Sequence, residues 1–460
     1  MVTSRLPPGP PGFPVVGNIF QFRRDPLTFV SGVQRSFGRM ATIYMGGTPI
    51  VMCFRPEHVR YFLIEHARNF TSGQFNHNLR HVLGDGLLTT DGDFHRQQRR
   101  LIQPAFHKRR VEGYAGIMLQ HTQEMLDKDW KPGARIDIAQ AMRDLTLRIV
   151  AKSLFDVDLK EDHPELGGAF TNVIENPVRL SFSLRALPID LPFTAYGKHM
   201  EGLRTLDMYV YGLITRRRAD GRDTGDVLSM LLSAQEDGVT MTDKQIRDET
   251  MTLFAAGHET TANALAWTFY LLSEHPIVST KLAAELHTVL RGRPASVDDL
   301  PNLPYLDSVV TESMRLYPPA WTQGRRGIEA FELDGYHFPA GTTVMFSQWV
   351  VHRLPDIWGD PDAFRPERWG PKNESKVPPG AYFPFGAGPR MCIGMPFAQL
   401  EARLLLAMIL QRYSPKVVAG FPVEPRPRVT LRPKYGIQMM LEPATAAVRH
   451  AVAITRPSRQ

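Results

Sequence analysis

The chain has 460 residues, of which 43% are hydrophobic and 22% are charged. This composition is close to the globular average, which argues against a disordered, collagen-like or coiled-coil chain. The formal net charge is +7, but the basic residues are mostly dispersed and none is joined to an aromatic stacking platform, so no nucleic-acid partner is expected.

The chain opens with a Pro- and Gly-rich segment (residues 1–14), which favours an extended strap. Two short β-branched runs at residues 41–45 and 49–53 flank Gly46-Gly47-Thr48 and predict a hairpin. From about residue 56 to residue 290 the pattern is mostly helical, with stops at Pro/Gly clusters. The predicted helices there span residues 113–128, 138–154, 202–218 and 243–273.

Residues 243–274 are long for a globular helix, and their apolar residues recur on more than one face. We therefore expect this helix to run through the centre of the fold. Further helices are predicted at residues 277–290, 305–316 and 395–412, with β-rich segments between 325 and 344 and a long coil over 356–388. Without a fixed-period repeat or a low-complexity linker, residues 1–460 are predicted to form one mainly α domain with small β-sheets. Residues 443–460 are expected to be a flexible tail.

Neither a membrane span nor a secretory signal is expected from the sequence. No stretch approaches the ~20 consecutive apolar residues of a spanning helix, and the first residues lack the apolar core of a signal peptide. The two cysteines, Cys53 and Cys392, leave no disulfide framework. We therefore predict a cytoplasmic protein.

The strongest local pattern surrounds Cys392. Nearby glycines let the backbone approach a planar object closely. The cysteine precedes a predicted helix, whose N–H groups and dipole favour a thiolate that can bind iron. Cys53, in a predicted strand, is interpreted as a small core residue. The pattern reads Phe385-Gly386-Ala387-Gly388-Pro389-Arg390-Met391-Cys392-Ile393-Gly394.

Three further motifs occur along the chain: Ala-Gly-His-Glu-Thr-Thr at 256–261, Glu-Ser-Met-Arg at 312–315, and Phe-Arg-Pro-Glu-Arg-Trp at 364–369. With the cysteine segment, they make the chain resemble the cytochrome P-450 superfamily of haem-thiolate monooxygenases, in its soluble bacterial form. The resemblance covers essentially the whole chain. It implies the single-domain cytochrome P-450 fold, with the long helix over the haem, and haem b held by Cys392 as its axial thiolate ligand.

Glu312 and Arg315 are three residues apart on one face of a predicted helix, where an exposed pair contributes only about 0.2–0.5 kcal/mol. A buried pair needs further hydrogen bonds, which Arg368 can supply. The resemblance implies that this cluster holds the cysteine segment and is structural. A surface pair is the alternative.

In the long helix, Ala256 and Gly257 are small enough for a planar cofactor to lie against them. The Thr260 hydroxyl can bond a nearby backbone carbonyl and open the helix locally. Thr260 and Glu259 are the predicted catalytic pair, which delivers protons during dioxygen activation. Two alternatives remain open: Thr260 caps a kink, or Glu259 belongs to a salt bridge. His258 is interpreted either as a residue of the helix without a functional role or as a surface group.

Aligned on Pro104-Ala105-Phe106, His95 and Arg99 fall where many members of the superfamily carry Trp-x-x-x-Arg. Both can donate to a carboxylate, and residues four apart share a helix face, so the resemblance implies that they bind haem propionates. Arg390 and Arg325 are further propionate candidates, whereas Arg326 has the opposite strand parity. The predicted cofactor-binding residues are His95, Arg99, Ala256, Arg325, Phe385, Arg390 and Cys392.

The implied reaction inserts one oxygen atom from O2 into a lipophilic substrate such as a fatty acid, a terpene or a steroid-like compound. The resemblance places the pocket between residues 70–88, residues 176–196, the long helix and residues 318–321. Electrons are expected from a separate ferredoxin or flavodoxin with its NAD(P)H-dependent reductase, docked near Arg96, Arg100 and residues 108–110. A peroxide-using haem-thiolate enzyme and a non-enzymatic haem binder or sensor remain the alternatives.

Overall fold

The computed structural model describes residues 6–158, 173, 191, 194–236, 238–370 and 377–444. The chain divides into two compact units. The first comprises residues 1–78 and 311–393, and the second comprises residues 79–310 and 394–460. The tail predicted over residues 443–460 and the pocket region predicted over 176–196 fall largely outside the described residues, and the single-domain organisation stays a prediction.

The first unit is built around a five-stranded sheet. The predicted hairpin forms from Met40–Met45 and Thr48–Cys53, which pair antiparallel. Thr343–Phe346 runs parallel to the second hairpin strand. Gln323–Gly327 pairs antiparallel with Thr343–Phe346, and Phe70–Thr71 pairs antiparallel with Gln323–Gly327. A separate hairpin joins Phe331–Leu333 to Tyr336–Phe338. The β-rich stretch predicted between residues 325 and 344 is therefore confirmed.

Apolar side chains cover both faces of this sheet, as the alternation of strand residues requires. Val51 and Phe346 pack on one face with Phe62. Met52 packs on the other face with Val30. Within the described part of this unit, the α-helices that begin and end there are Ile19–Arg24, Pro26–Phe37, Pro56–Arg60, Gln74–His77, Gln348–Val351 and Pro355–Trp358.

The second unit is mainly helical, and the long helix predicted at residues 243–274 is confirmed as Asp243–Glu274. Thr242 caps its first turn reciprocally with Gln245, which is the capping-box arrangement. Among the residues of this unit that the structure describes, the other α-helices include Arg80–Leu83, Gly92–Ile102, Lys108–Gly113, Ala115–Glu124, Ile138–Phe155, Ala195–Asp220, Val227–Ser233, Pro276–Leu290 and Met395–Arg412. Pro304–Leu316 begins in this unit and continues into the residues of the first.

The long helix packs closely against Ile138–Phe155. The rings of Phe155 and Phe254 stack with their centroids 4.4 Å apart. A Cβ added at Gly257 would lie 3.0 Å from a Val150 methyl group, so glycine allows the two helices to approach here. The predicted central burial of the long helix is confirmed, since Phe254, Leu265 and Trp267 are completely buried.

Small sheets near the end of the chain were not predicted. Gln438–Pro443 is the middle strand between Tyr413–Val417 and Arg135–Asp137, and Pro425–Pro427 pairs with Leu431–Pro433. Several of these strands contain proline, which obscures the usual strand pattern. The Asp137 carboxylate caps the helix after it by accepting from Ala139 N–H, and it also accepts from Ile437 N–H, each at 3.0 Å.

The predicted helices differ from the observed ones mainly at their ends. The helix predicted at 202–218 extends over Ala195–Asp220, and the one predicted at 113–128 begins as Ala115–Glu124 and ends in the wider turn Met125–Asp129. The mainly α fold with small sheets is confirmed. None of the helices within the described ranges is both long and apolar enough to cross a membrane.

Candidate active site

Residues 385–393 of the first unit, hereafter the cysteine loop, present an exposed thiol. The Cys392 N–H donates to the Phe385 carbonyl at 2.9 Å and closes the loop. Gly388 has a φ of +65°, and a Cβ there would lie 1.7 Å from the Leu63 carbonyl oxygen. Glycine is therefore required for both conformation and space at this position. The side chain of Cys392 is exposed.

Cys53 has the opposite environment. Its side chain is completely buried in strand Thr48–Cys53. Burial raises the pKa of the Cys53 thiol far above its usual value, so this cysteine stays protonated. Its interpretation as a core residue is confirmed, and Cys392 is the cysteine whose setting suits metal ligation.

A buried cluster around Glu312 holds the region that precedes the cysteine loop. Glu312 and Arg315 are completely buried, and two guanidinium nitrogens of Arg315 donate to the two carboxylate oxygens, each at 2.8 Å. Arg368 donates from Nε at 3.2 Å and Trp369 from Nε1 at 2.8 Å. The predicted third member is thus present, and the surface-pair alternative is wrong. The remaining Arg315 donors bind backbone carbonyls, including that of His352 at 2.8 Å, so the buried charges are well satisfied.

His352 connects this cluster to the chain just before the cysteine loop, and sequence reasoning missed it because no motif surrounds it. Its Nε2 accepts a hydrogen bond from Phe383 N–H at 3.0 Å. Complete burial and the neighbouring Arg315 charge hold the pKa of His352 well below its usual value. The neutral imidazole can therefore accept this bond, two residues before Phe385.

The predicted propionate residues of the first unit differ in exposure. Arg325 is buried in strand Gln323–Gly327, while Arg326 is exposed, as strand parity predicts. The Arg325 guanidinium lies 5.8 Å from the centre of the Phe346 ring. Arg390 and Phe385 are half-buried in the cysteine loop.

In the second unit, the long helix is exposed at Ala256, which is hereafter its open position. Thr260, one turn later, is half-buried. The Thr260 hydroxyl donates to the Ala256 carbonyl at 2.7 Å. This is the backbone contact expected from the sequence, and it places a proton-bearing group beside the open position.

Glu259 faces a different set of groups. Its carboxylate accepts a hydrogen bond from the Thr430 hydroxyl at 2.7 Å, and Asn263 donates to the same hydroxyl at 3.1 Å. A hydroxyl therefore holds the buried carboxylate. His258 is also buried, and its Nδ1 donates to the Phe254 carbonyl of the same helix at 2.8 Å. Of its two interpretations, the surface group is therefore wrong and the residue packed within the helix remains. Burial lowers the pKa of His258, which keeps it neutral.

Helix Gly92–Ile102 carries the remaining two predicted cofactor residues. His95 is buried and Arg99 is half-buried, one turn apart, whereas Arg96 and Arg100 are exposed. The helix therefore presents His95 and Arg99 on its inner face and two cations to solvent. The structure places predicted residues together within each unit: Phe385 with Cys392, Ala256 with Thr260, and His95 with Arg99 on one helix face.

Two buried carboxyl groups were not found from the sequence. Glu249 in the long helix and Glu401 in helix Met395–Arg412 are both completely buried. Burial raises the pKa of Glu249 to about 8 and that of Glu401 well above its usual value. Each lies in a helix whose residues are buried on more than one face, and no local sequence pattern shows which polar side chains are buried with them.

These features fit a haem-thiolate site. Glycine lets the loop backbone pack closely, the thiol is exposed, and a buried cluster fixes the preceding chain, while inward histidine and arginine side chains can donate to carboxylates. The comparisons with known proteins agree. The family described as Cytochrome P450 matches residues 7–440.

Individual relatives and solved structures cover nearly the whole chain. The chain is 37% identical to cyclooctatin synthase of Streptomyces melanosporofaciens, over 92% of both chains. It is 36% identical to pentalenene oxygenase of Streptomyces avermitilis, over 90% of this chain and 92% of the relative. A retinoic acid-bound cyanobacterial CYP120A1 structure gives a TM-score of 0.87 at 27% identity, with 96% of this chain and 100% of that chain covered.

The fold and the site define a haem-thiolate oxidoreductase. The chain belongs to the cytochrome P450 family, and it is a haem-dependent monooxygenase. The family binds haem b through a cysteine thiolate, and Cys392 is the cysteine of this chain that fits that role. Membership therefore favours the monooxygenase over the peroxide-using enzyme and the haem sensor.

Proposed function

We propose that the protein oxidises a cyclic terpene by inserting one oxygen atom from O2 into a C–H or C=C bond. The observation that supports this substrate class is the set of named relatives, which are terpene-modifying enzymes. They include cyclooctat-9-en-7-ol 5-monooxygenase of Streptomyces melanosporofaciens, 34% identical over 89% of this chain and 90% of the relative. Among the three lipophilic classes considered from the sequence, terpenes are thus favoured over fatty acids and steroid-like compounds.

The haem, when bound, supplies the oxidising chemistry at iron, with electron donation from the thiolate. We propose that Cys392 ligates the iron and that the donors of His95, Arg99, Arg325 and Arg390 bind the propionates. Phe385 and Ala256 would then lie against the porphyrin. Buried or half-buried donors suit this role, because charge-assisted hydrogen bonds are stronger where water is excluded.

Thr260 is the proposed proton donor beside the reacting oxygen. Its hydroxyl now donates to the Ala256 carbonyl at 2.7 Å, and rotation about its side chain would turn the same proton toward the open side of the helix. We propose that Glu259 acts through a longer route, because its carboxylate is held by Thr430 at 2.7 Å. Glu259 would therefore deliver protons only after a change of rotamer or through ordered water.

Redox partners are implied by family membership, and we propose an acidic ferredoxin or flavodoxin with its NAD(P)H-dependent reductase. Arg96 and Arg100 are exposed on helix Gly92–Ile102, and Lys108, Arg109 and Arg110 are exposed on the helix that follows. A cluster of exposed cations speeds association with an acidic partner. The cytoplasmic location stays a prediction.

The test begins with the purified holoenzyme, whose reduced carbonyl spectrum reports thiolate ligation. Ferric enzyme is then titrated with a sesquiterpene hydrocarbon, a fatty acid and a steroid, and the low-to-high-spin absorbance change is recorded. We expect the terpene to give the tightest spin shift, and turnover with a ferredoxin pair under labelled O2 to place one labelled atom in the product. Tight binding and oxidation of the fatty acid or the steroid, without any response to the terpene, would contradict the proposed substrate class.

A further inference from the structure

A cavity of about 680 Å³ lies in the second unit. None of the proposed haem or proton-delivery residues lines it. Three segments form its walls: the helix Lys108–Gly113 with the start of Ala115–Glu124, the end of helix Ile138–Phe155, and the loop at residues 224–226. The lining residues used below are Arg109, Arg110, Tyr114, Lys152, Ser153 and Asp226.

Two arginines give the cavity an uncompensated positive charge. Arg109 and Arg110 are exposed, and within the described ranges neither forms an ion pair with a carboxylate. Arg110 Nη1 lies 3.5 Å from the Gly225 carbonyl oxygen, which orients it along the cavity wall. By contrast, Lys152 is paired with Asp156 at 2.6 Å.

The remaining carboxylate of the wall is neutralised from outside the cavity. One nitrogen of Arg217 donates to both oxygens of Asp226, at 2.8 and 3.0 Å. The same nitrogen contacts the Thr224 hydroxyl at 2.6 Å. The loop is therefore fixed, and the pairs Lys152 with Asp156 and Arg217 with Asp226 leave the two arginine charges as the net charge of the site.

Two buried hydroxyl groups in the same wall have no protein partner in the part of the chain that the structure describes. They are Tyr114 Oη and Ser153 Oγ, and only 6% of Tyr114 and 1% of Ser153 is exposed. A buried polar group without a partner destabilises the fold, so such groups call for an explanation. Burial raises the pKa of Tyr114, which keeps its hydroxyl protonated and able to donate. The Tyr114 ring is fixed by Phe397, with centroids 5.9 Å apart.

We propose that this cavity binds a phosphate-bearing anion at a site separate from the catalytic centre. Arg109 and Arg110 would supply forked guanidinium donors, which match phosphate oxygens, and Tyr114 and Ser153 would donate from the buried wall. The volume is in the range of about 300–1,000 Å³ typical of small-molecule sites, which allows a phosphate group with a small organic part. This site is independent of the proposed substrate class.

The test measures binding of inorganic pyrophosphate to the holoenzyme by titration calorimetry at fixed ionic strength. Inorganic phosphate is run in parallel, to separate a diphosphate site from a monophosphate site. The double variant Arg109→Gln, Arg110→Gln should weaken binding at least 10-fold, because it removes both charged, forked donors of the site. Tyr114→Phe and Ser153→Ala, which each remove one oxygen, should weaken it about 3- to 10-fold. The matched control is Arg426→Gln, which removes an exposed guanidinium of the second unit that is not part of the cavity lining and should leave affinity unchanged.

Three outcomes overturn the proposal: wild type that binds neither anion at millimolar concentration, equal affinities in all variants, or the same loss in Arg426→Gln. The Soret and far-ultraviolet spectra check that each variant is folded. Should Tyr114→Phe fail to fold, the surface arginine variant and Ser153→Ala still decide, since both changes leave the apolar packing of the Tyr114 ring in place.

Discussion

Replacing Glu249 by glutamine should change how the stability of the protein depends on pH. Glu249 is completely buried in the long helix, and its Oε2 accepts a hydrogen bond from Leu87 N–H at 3.0 Å. Its other oxygen has no partner among the described residues. Burial, with a smaller contribution from the Asp248 charge, raises the pKa of Glu249 to about 8, although the Leu87 N–H opposes this rise. The group is therefore protonated at neutral pH in the folded protein.

The magnitude follows from proton linkage. In the unfolded chain the glutamate has its ordinary pKa of 4.5, so between that pH and about pH 8 the folded state holds one more proton than the unfolded state. The free energy of unfolding then falls by about 1.4 kcal/mol for each pH unit of increase. Glutamine does not titrate and can keep the bond from Leu87. The difference in unfolding free energy between Glu249→Gln and wild type should therefore shift in favour of the variant by roughly 3 kcal/mol as the pH rises from 5.5 to 7.5.

Urea unfolding followed by far-ultraviolet circular dichroism at several pH values measures this difference. Glu274→Gln serves as the control, because it removes an exposed carboxylate at the end of the same helix. The control should follow the pH dependence of wild type. A difference between Glu249→Gln and wild type that stays constant from pH 5.5 to pH 7.5 would refute the buried, protonated state.

Three further predictions concern the site. Glu312→Gln should destabilise the protein by about 3–5 kcal/mol, because it leaves buried guanidinium charge uncompensated. Urea unfolding and haem retention measure this effect. Unchanged unfolding and unchanged haem retention would show that the Glu312 cluster is not needed for stability or for holding the haem. Thr260→Ala should lose NADPH-driven turnover and keep peroxide-driven turnover. The control Thr268→Ala, which removes the same type of backbone contact two turns later, should keep both activities. Loss of both activities in Thr260→Ala would contradict a role of Thr260 in proton delivery. Charge reversal of Arg96 and Arg100 should slow reduction by an acidic ferredoxin at least 10-fold at low salt, and the difference in rate from wild type should shrink as the salt concentration rises. Stopped-flow reduction rates that depend neither on the charge reversal nor on the salt concentration would exclude this docking surface.

Much of the architecture could be predicted because local patterns dominate it. The hairpin at residues 40–53 follows from β-branched runs around a Gly-Gly turn, and helix Asp243–Glu274 follows from its length and all-round apolarity. The position of Cys392 just before helix Met395–Arg412 and the opposite orientations of Arg325 and Arg326 also follow from short-range rules. The strands after residue 412 could not be predicted, because their proline-containing segments become strands only through pairing with distant residues.

The site was harder to predict where a side chain's role depends on its partner. The sequence places Glu259 beside Thr260, but Thr430, which holds the Glu259 carboxylate, is 171 residues away. The link from Arg315 through His352 to Phe383 likewise depends on contacts between segments that no sequence period relates. Burial of Glu249 and Glu401 follows from packing that becomes visible only in three dimensions.

The Asp137 carboxylate has a consequence for the order of folding. It caps helix Ile138–Phe155 locally, but its bond to Ile437 N–H spans 300 residues, and the neighbouring strand Arg135–Asp137 has its partner in Gln438–Pro443. On the ribosome, the helix can therefore form early, while its flanking strand stays unpaired until residues 438–440 have been synthesised. Because such distant pairings form slowly, the docking of Gln438–Pro443 should be a late step, and this unit should complete its assembly only after residues 437–443 have emerged.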